Sequence, residues 1–213
     1  MSDGSSGKDG ARVPREPRYV KVTQEQYFAA AYACLAENGS ESVTISRLCG
    51  RLGVTSGSFY HYFGSMDGFV DALLGHWEAE RTQRVADMAV ARENRAQGID
   101  LMREMAIQLP HEAESAIRAW SRSDERVAHV VRRVDATRHT ALRVLIEDLG
   151  IPTDTAARLA TMGLGLLVGM QQMQRPVDRD QLRGVFDEFQ HTIFRHRPEA
   201  QRPRSASPSS STR

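Results

Sequence analysis

The sequence has little cysteine, and this excludes several kinds of protein. Cys34 and Cys49 are the only two among 213 residues, and both lie within apolar patterns. Two such cysteines make neither a disulfide scaffold nor a cysteine-rich zinc site. They fit a reducing compartment, so we expect a cytoplasmic location.

Long apolar runs and an excess of one charge are also missing. The most apolar stretch, residues 156–170, is interrupted by Arg158, Thr161 and three glycines, whereas a membrane-spanning helix needs about 20 mainly apolar residues. The first twenty residues carry no apolar segment typical of a signal peptide. Lys and Arg number 28 and Asp and Glu number 27, a formal net charge of +1. We therefore expect no membrane partner, and any contact with nucleic acid must depend on local charge.

Proline is nearly absent from the middle of the chain. Between residues 20 and 195 it occurs only at Pro110, Pro152 and Pro176, where the apolar periodicity breaks, and such positions suit helix ends. The two ends, residues 1–19 and 196–213, combine Gly, Ser, Pro and charge. Because such segments cannot bury a core, we expect both to be disordered.

Between these ends the apolar residues recur at the three-to-four-residue period of an α-helix, with no strand alternation. Thr23 and Gln26 form a capping-box pattern before the first helix, which Asn38-Gly39 ends. Thr44 and Ser65 are N-caps of later helices. The sequence therefore predicts an all-α fold with further helices at about 44–52, 56–63, 66–91, 98–109, 112–122, 124–149, 154–174 and 178–195.

Residues 44–63 have the pattern of a helix-turn-helix. Gly53 allows the bend between the helices, and Val54 holds the turn. Phe59 and Phe63, four residues apart, form the inner stripe of the second helix. Because the DNA major groove admits one α-helix, the outer face of this helix is a candidate for reading bases. That face offers Ser56, Gly57, Ser58, Tyr60 and His61.

The run from Tyr27 to Leu74 resembles the DNA-binding domain of the TetR family of transcriptional regulators. The resemblance rests on Glu37-Asn38-Gly39, Val43-Thr44, Gly53-Val54 and the segment GSFYHYF at 57–63. It implies a three-helix DNA-binding domain at 20–66 and a helical bundle at 67–195 that binds a small molecule and dimerises. The whole chain would have about nine helices.

The resemblance also assigns DNA contacts. Thr44 would place its helix N-terminus against a phosphate, Tyr60 and Tyr62 would donate to phosphates, and the other residues would face bases or backbone. The alternative for the tyrosines is a place in the core, and for His61 plain solvation. The predicted DNA-binding residues are Thr44, Ser46, Arg47, Ser56, Gly57, Ser58, Tyr60, His61 and Tyr62.

One departure from the family concerns positive charge. Relatives usually have Ser-Lys-Glu after the Tyr-Phe pair, with the lysine on a phosphate, whereas this chain has Ser65-Met66-Asp67. A basic arm could compensate by lying along a minor groove, or it is unstructured and makes no contact. With few cationic contacts, DNA binding should depend weakly on salt. The arm residues are Arg12, Arg15, Arg18 and Lys21.

In the C-terminal part, the last two helices carry apolar stripes that an isologous pairing of two copies would bury. Burial inside one chain is the alternative. Separately, flexible methionines and neighbouring apolar residues could line an effector pocket, or belong to the core. The predicted interface residues are Leu159, Gly163, Leu166, Leu167, Leu182, Val185, Phe186 and Phe189. The predicted pocket residues are Met102, Met105, Trp120, Val131 and Met162.

The function predicted from these patterns is a repressor that binds a pseudo-palindromic operator as a homodimer and is released by a small-molecule effector. An activator, or an interaction module that has lost DNA binding, are the alternatives. An enzyme is disfavoured, since the one Glu-x-x-His pair, Glu188 and His191, lacks the second copy that a di-iron site needs. We therefore predict no catalytic residues, no cofactor and no metal site.

Overall fold

The computed structural model describes residues 22–83, 86–88, 91 and 95–198, and within them it contains helices and no strand. The predicted all-α fold is confirmed. The ends predicted to be disordered lie outside the described residues, apart from 196–198. The helices are α1 (Gln24–Asn38), α2 (Ile45–Leu52), α3 (Ser56–Phe63), α4 (Met66–Glu78), α5 (Arg95–Ile107), α6 (His111–Trp120), α7 (Glu125–Glu147), α8 (Thr153–Met173) and α9 (Arg179–Arg195).

The N-caps predicted for the first, second and fourth helices are confirmed. The Thr23 hydroxyl accepts a bond from the Gln26 amide at 3.4 Å, and the Gln26 side chain accepts one from the Thr23 amide at 2.9 Å. The hydroxyls of Thr44 and Ser65 accept bonds from backbone amides three residues on, at 3.3 and 3.0 Å. Each cap satisfies a donor that the helix itself leaves unpaired, so the local sequence fixes where these helices begin.

The fourth helix differs from its prediction. We expected a single helix to about Ala91, but the α-helix ends at Glu78 and a π-helical turn spans Ala79–Gln83. The Ala79 amide bonds to the carbonyls of both Gly75 and His76, so the regular ladder already changes there. Between this turn and residue 95 the structure describes only residues 86–88 and 91, and residues 86–88 are helical. Among the residues described between positions 84 and 94, only these three are helical.

An aromatic cluster forms the first core. Tyr27 of α1 contacts Phe59 and Phe63 of α3 with ring centroids 5.7 and 5.4 Å apart, and Phe69 of α4 lies 4.9 Å from Phe63. Edge-to-face pairs of this kind add to the free energy of burial. The same core continues through Trp77 of α4 into α6 and the first half of α7. Packing is therefore continuous across the predicted domain boundary at residue 66.

A second core lies farther along the bundle. It is built from α5, the second half of α7, α8 and α9. The segment between α8 and α9 contains a cis peptide bond at Arg175-Pro176. No helix of the described residues is long and apolar enough to cross a membrane.

Candidate nucleic-acid interface and effector cavity

The helix pair α2–α3 is held at a fixed angle by its turn. Gly53 has a φ of 66°, in the left-handed region that glycine adopts without strain. The Val54 amide donates to the Cys49 carbonyl at 3.0 Å. Leu48 and Phe59 are fully buried beneath the two helices. The predicted helix-turn-helix is therefore present in this geometry, with its inner side anchored in the first core.

The outer side of α3 is open to solvent. Ser56 and Tyr60 form one i, i+4 row, and Gly57 and His61 form the neighbouring row, so the four share a face of the helix. All four are exposed, and Tyr60 retains 51% of its surface. Of the remaining predicted DNA-binding residues, Thr44, Ser46 and Arg47 are exposed, while Ser58 and Tyr62 are partly buried.

The two tyrosines of α3 have different environments. The Tyr62 hydroxyl donates to the backbone carbonyl of Val22 at 2.6 Å, and its ring lies against Tyr27. Because a phosphate oxygen only accepts, Tyr62 could donate to it only after breaking this bond. The Tyr60 hydroxyl bonds to none of the described residues. The geometry thus supports a phosphate contact for Tyr60 and a structural role for Tyr62.

Positive charge is scarce on this surface. Arg51 donates two bonds to Glu37, at 2.9 and 2.5 Å, and these bonds hold the pKa of the Glu37 carboxyl below its usual value. Arg47 is exposed and forms no ion pair within the described part of the chain. Between residues 22 and 65, where these two are the only Lys or Arg residues, one cation thus remains available to DNA.

The start of α4 carries no cation. Met66 is partly buried against the first core. Asp67 accepts a bond from Arg126 of α7 at 3.0 Å. The position where relatives carry a lysine is therefore used for packing, and the next residue pairs within the chain. The predicted basic arm, which ends at Lys21, lies outside the described residues.

A buried charge network joins α4 to the bundle. Glu114 of α6 is 3% exposed and accepts two bonds from Arg138, at 3.0 and 2.6 Å. It also accepts bonds from the Trp77 indole at 3.1 Å and the Gln171 amide at 3.2 Å. Burial by itself would raise the pKa of this carboxyl, but the charge of Arg138 and the four bonds outweigh it and lower the pKa. The network connects α4, α6, α7 and α8.

Sequence reasoning missed this network. The one available signal was a carboxylate, Glu114, within a run in which Ala113, Ala116 and Ile117 are buried. A buried carboxylate requires a partner. The partner Arg138 is 24 residues away, so the pattern alone does not identify it.

A cavity of about 680 Å³ lies between the DNA-binding helices and the bundle. This volume is within the range of small-molecule sites, about 300–1,000 Å³. The apolar wall includes Met102, Met105, Leu142, Leu167 and Phe186. The polar wall residues are Glu25, His76, Glu80, Thr82, Gln108 and Arg138.

The predicted pocket residues are only partly brought together. Met102 and Met105 line the cavity. The other three do not line it: Trp120 packs against the first core, Val131 is buried within that core, and Met162 is 50% exposed on the surface. The difference has a physical cause. The helical period of a sequence indicates which face of a helix is apolar, but it does not indicate which neighbouring element packs against that face.

The predicted dimer interface requires a similar correction. Leu159, Gly163, Leu167, Leu182, Phe186 and Phe189 are buried in the core of their own chain, while Leu166 and Val185 are partly exposed. A Cβ at Gly163 would lie 2.8 Å from both Leu142 and Phe189, so this glycine permits intrachain packing. The outward side of α8 instead carries Met162, Gly165 and Met173, all exposed.

No group of three or more His, Cys, Asp or Glu side chains is placed to hold a metal ion within the described ranges. Glu188 and His191 face solvent, 3.8 Å apart, on the surface of α9. This pair is thus an exposed contact along one helix.

A helix-turn-helix with an exposed outer face on α3, joined to a helical bundle with a cavity, is the arrangement of a DNA-binding regulator fold. Residues 28–73 match the family described as bacterial regulatory proteins, tetR family. These residues therefore carry a tetR-family domain, and the resemblance found in the sequence is confirmed over this stretch. Among curated proteins, none matches the sequence.

Solved structures share the fold over most of the chain. A transcriptional regulator from Rhodococcus sp. Rha1 is 19% identical, with 82% of this chain and 97% of that chain covered and a TM-score of 0.67. The regulator FadR from Bacillus subtilis, solved with stearoyl-CoA, is 13% identical over 80% and 97%, with a TM-score of 0.60. A regulator from Saccharomonospora viridis, solved with choline, is 14% identical over 78% and 94%, with a TM-score of 0.62. At these identities the likeness shows the fold alone.

Proposed function

We propose that the protein is a repressor that binds a pseudo-palindromic operator as a homodimer and releases it when a small molecule enters the cavity. The observation that carries the proposal is the solvent-exposed outer face of α3, with Ser56, Gly57, Tyr60 and His61 on two adjacent rows. Small residues at the start of this helix let its backbone approach base edges, and Tyr60 and His61 supply hydrogen-bonding groups.

The homodimer would form on the outward faces of α8 and α9. Met162 and Met173 are 50% and 78% exposed on α8, which is unusual for large apolar side chains. A Cβ at Gly165 or at Gly184 would meet nothing within 4 Å in this chain, so a second copy could approach closely at both glycines. Twofold pairing of these faces would place two α3 helices on successive turns of DNA.

The cavity would control DNA binding through α4. This helix follows the helix-turn-helix directly, and its residue His76 lines the cavity, as does Glu25 of α1. The ligands in two solved structures with a similar fold, stearoyl-CoA and choline, support binding of small molecules in folds of this type. A ligand acts only if it binds the DNA-free arrangement better than the DNA-bound one. A difference of roughly 1–3 kcal/mol changes DNA affinity about 5–150-fold.

The test is fluorescence anisotropy with a labelled duplex from upstream of the protein's own gene and a shuffled duplex of equal composition. We expect tight binding to the first duplex alone, with two chains per site. Replacing Tyr60 and His61 together by alanine should abolish the preference. The variant Gln97→Ala, which removes an exposed side chain of α5 outside the proposed dimer face, serves as the control and should bind as wild type.

Equal weak binding to both duplexes would contradict self-regulation. If duplexes selected from a random pool also failed to bind, the second candidate would gain support: an interaction module that keeps the fold without reading DNA. The packing of Met66 and the pairing of Asp67 at the start of α4 favour that candidate.

A further inference from the structure

A side chamber of about 60 Å³ adjoins the cavity. The two spaces share Met102, Leu142, Gly163 and Phe186 as wall residues. One water molecule in the liquid occupies about 30 Å³. The chamber therefore has room for about two non-hydrogen atoms, which is the size of a polar end group on a larger molecule seated in the cavity.

Gln190 of α9 lines this chamber and carries an unpaired hydrogen-bond acceptor. Its Nε2 donates to Oδ1 of Asp100 at 2.6 Å. Because a carboxylate only accepts, this bond fixes which end of the amide faces Asp100. The Oε1 atom is buried and accepts no hydrogen bond from the described part of the protein, and the residue as a whole is 9% exposed. An unpaired buried acceptor lowers stability, so a donor in the chamber would be bound favourably.

Arg103 of α5 lines the same chamber and carries an unpaired donor. Its Nη1 donates to Asp187 and its Nη2 to Glu104, and Arg183 donates to the same Glu104, so two arginines balance these two carboxylates. The remaining Nε is buried, and no acceptor for it exists among the described residues. The chamber wall thus contains two residues with unpaired groups, one an acceptor and the other a donor.

A third unpaired group lies on the wall of the main cavity. Thr82 is 2% exposed, and its Oγ1 has no hydrogen-bond partner in the part of the chain that the structure describes. A threonine hydroxyl can donate or accept. It therefore suits an oxygen atom elsewhere on the same ligand.

We propose that the cavity binds a neutral, mostly apolar molecule that carries a hydroxyl group, with the hydroxyl in the side chamber between Gln190 and Arg103. A hydroxyl both donates and accepts, whereas a carboxylate has no donor and an ammonium has no acceptor. Met102, Met105, Leu142 and Phe186 would enclose the apolar body, and Thr82 would contact a second oxygen where one is present. This inference rests on the proposed effector cavity and gives its ligand a chemical class.

The test uses four probes that share a ten-carbon chain and differ at its end: 1-decanol, decyl methyl ether, decanoate and decylammonium. Calorimetric titration of the full chain gives the dissociation constant of each. We expect 1-decanol to bind at least about fivefold more tightly than the ether, because the ether cannot donate to Gln190 even though its added methyl group favours burial. Both ions should bind more weakly than the alcohol.

Two variants localise the hydroxyl. In Gln190→Met the preference for the alcohol over the ether should disappear, because the acceptor is gone while the side-chain length is kept. The matched control is Gln181→Met, the same change on the same helix at an exposed position outside the cavity, and it should keep the preference. Thermal unfolding checks that both variants fold.

The proposal is overturned if the ether, decanoate or decylammonium binds the wild-type chain as tightly as 1-decanol, if none of the four binds, or if Gln190→Met keeps the preference. If Gln190→Met does not fold, the wild-type comparison decides alone. Failure here is separate from failure of the regulatory function, since duplex binding is measured without any probe.

Discussion

At the scale of single residues, chemically identical side chains on one short helix have different roles. Tyr60 points its hydroxyl to solvent, whereas Tyr62, two residues later, bonds to the chain itself. The family resemblance predicted DNA contacts for both tyrosines, because it compares residue types and contains no information on hydrogen-bond partners. Only the position of Val22, forty residues away in sequence, separates the two roles.

A pair of variants tests this distinction. Tyr60→Phe should weaken operator binding about threefold to tenfold, since one hydrogen bond to phosphate is lost, and should leave stability unchanged. Tyr62→Phe should lower the free energy of unfolding by about 1 kcal/mol and change DNA affinity less than about twofold. Anisotropy and chemical denaturation measure the two effects. If Tyr62→Phe instead weakened operator binding and left stability unchanged, Tyr62 would be a DNA contact.

The buried carboxylate of Glu114 makes stability depend on pH. We expect Glu114→Gln to lower the free energy of unfolding at pH 7 by about 3 kcal/mol, because Arg138 is left buried without its counter-charge. The pKa of Glu114 is lowered on folding. Its ionised form therefore stabilises the fold above the unfolded-state pKa of about 4.3, and this contribution is lost as pH falls through the folded pKa.

The difference in free energy of unfolding between wild type and Glu114→Gln should consequently become smaller below about pH 4.3. Denaturant titrations at several pH values measure this difference. The matched control Glu125→Gln removes an exposed carboxylate paired with Arg132 and should leave the free energy of unfolding at pH 7 nearly unchanged. If this difference in free energy stayed constant until the protein unfolds in acid, Glu114 would not be ionised in the folded protein.

At the scale of elements, helix starts were predictable and helix partners were not. Thr23, Thr44 and Ser65 cap their helices through amides three residues away, so a short stretch of sequence contains the whole cause. The helix-turn-helix is equally local. By contrast, Leu182 and Phe186 were assigned to a partner chain because their apolar stripe is visible, whereas the neighbour that covers it is set by the three-dimensional packing of α8 on α9.

The start of α4 offers a test of the missing lysine. Met66→Lys should bind the operator about threefold more tightly at low salt, because it adds a cation near the helix-turn-helix. The slope of log affinity against log salt should steepen by about 0.9 for one added phosphate contact. Gln97→Lys, which adds the same charge at an exposed site on α5 outside the proposed dimer face, is the control. Equal slopes in the two variants would mean that α4 does not approach a phosphate.

At the scale of the whole molecule, the outward face of α8 predicts the assembly. In Met162→Arg, two like charges would meet across a twofold interface. We therefore expect the dissociation constant of the dimer to increase at least about tenfold. Met162→Leu keeps the apolar contact and should remain dimeric. Sedimentation equilibrium distinguishes the two. An unchanged dimer in Met162→Arg would place the interface elsewhere.

The continuity of the first core has a practical consequence for protein engineering. Trp77 of α4 and Ile117 of α6 are buried in the same cluster as Tyr27 and Phe59. A fragment that ended after α4 would expose the apolar side of that cluster and should aggregate or unfold instead of serving as a portable DNA-binding unit. Chimaeras that exchange DNA-binding domains between relatives should therefore include α6 and the first half of α7 together with α1–α4.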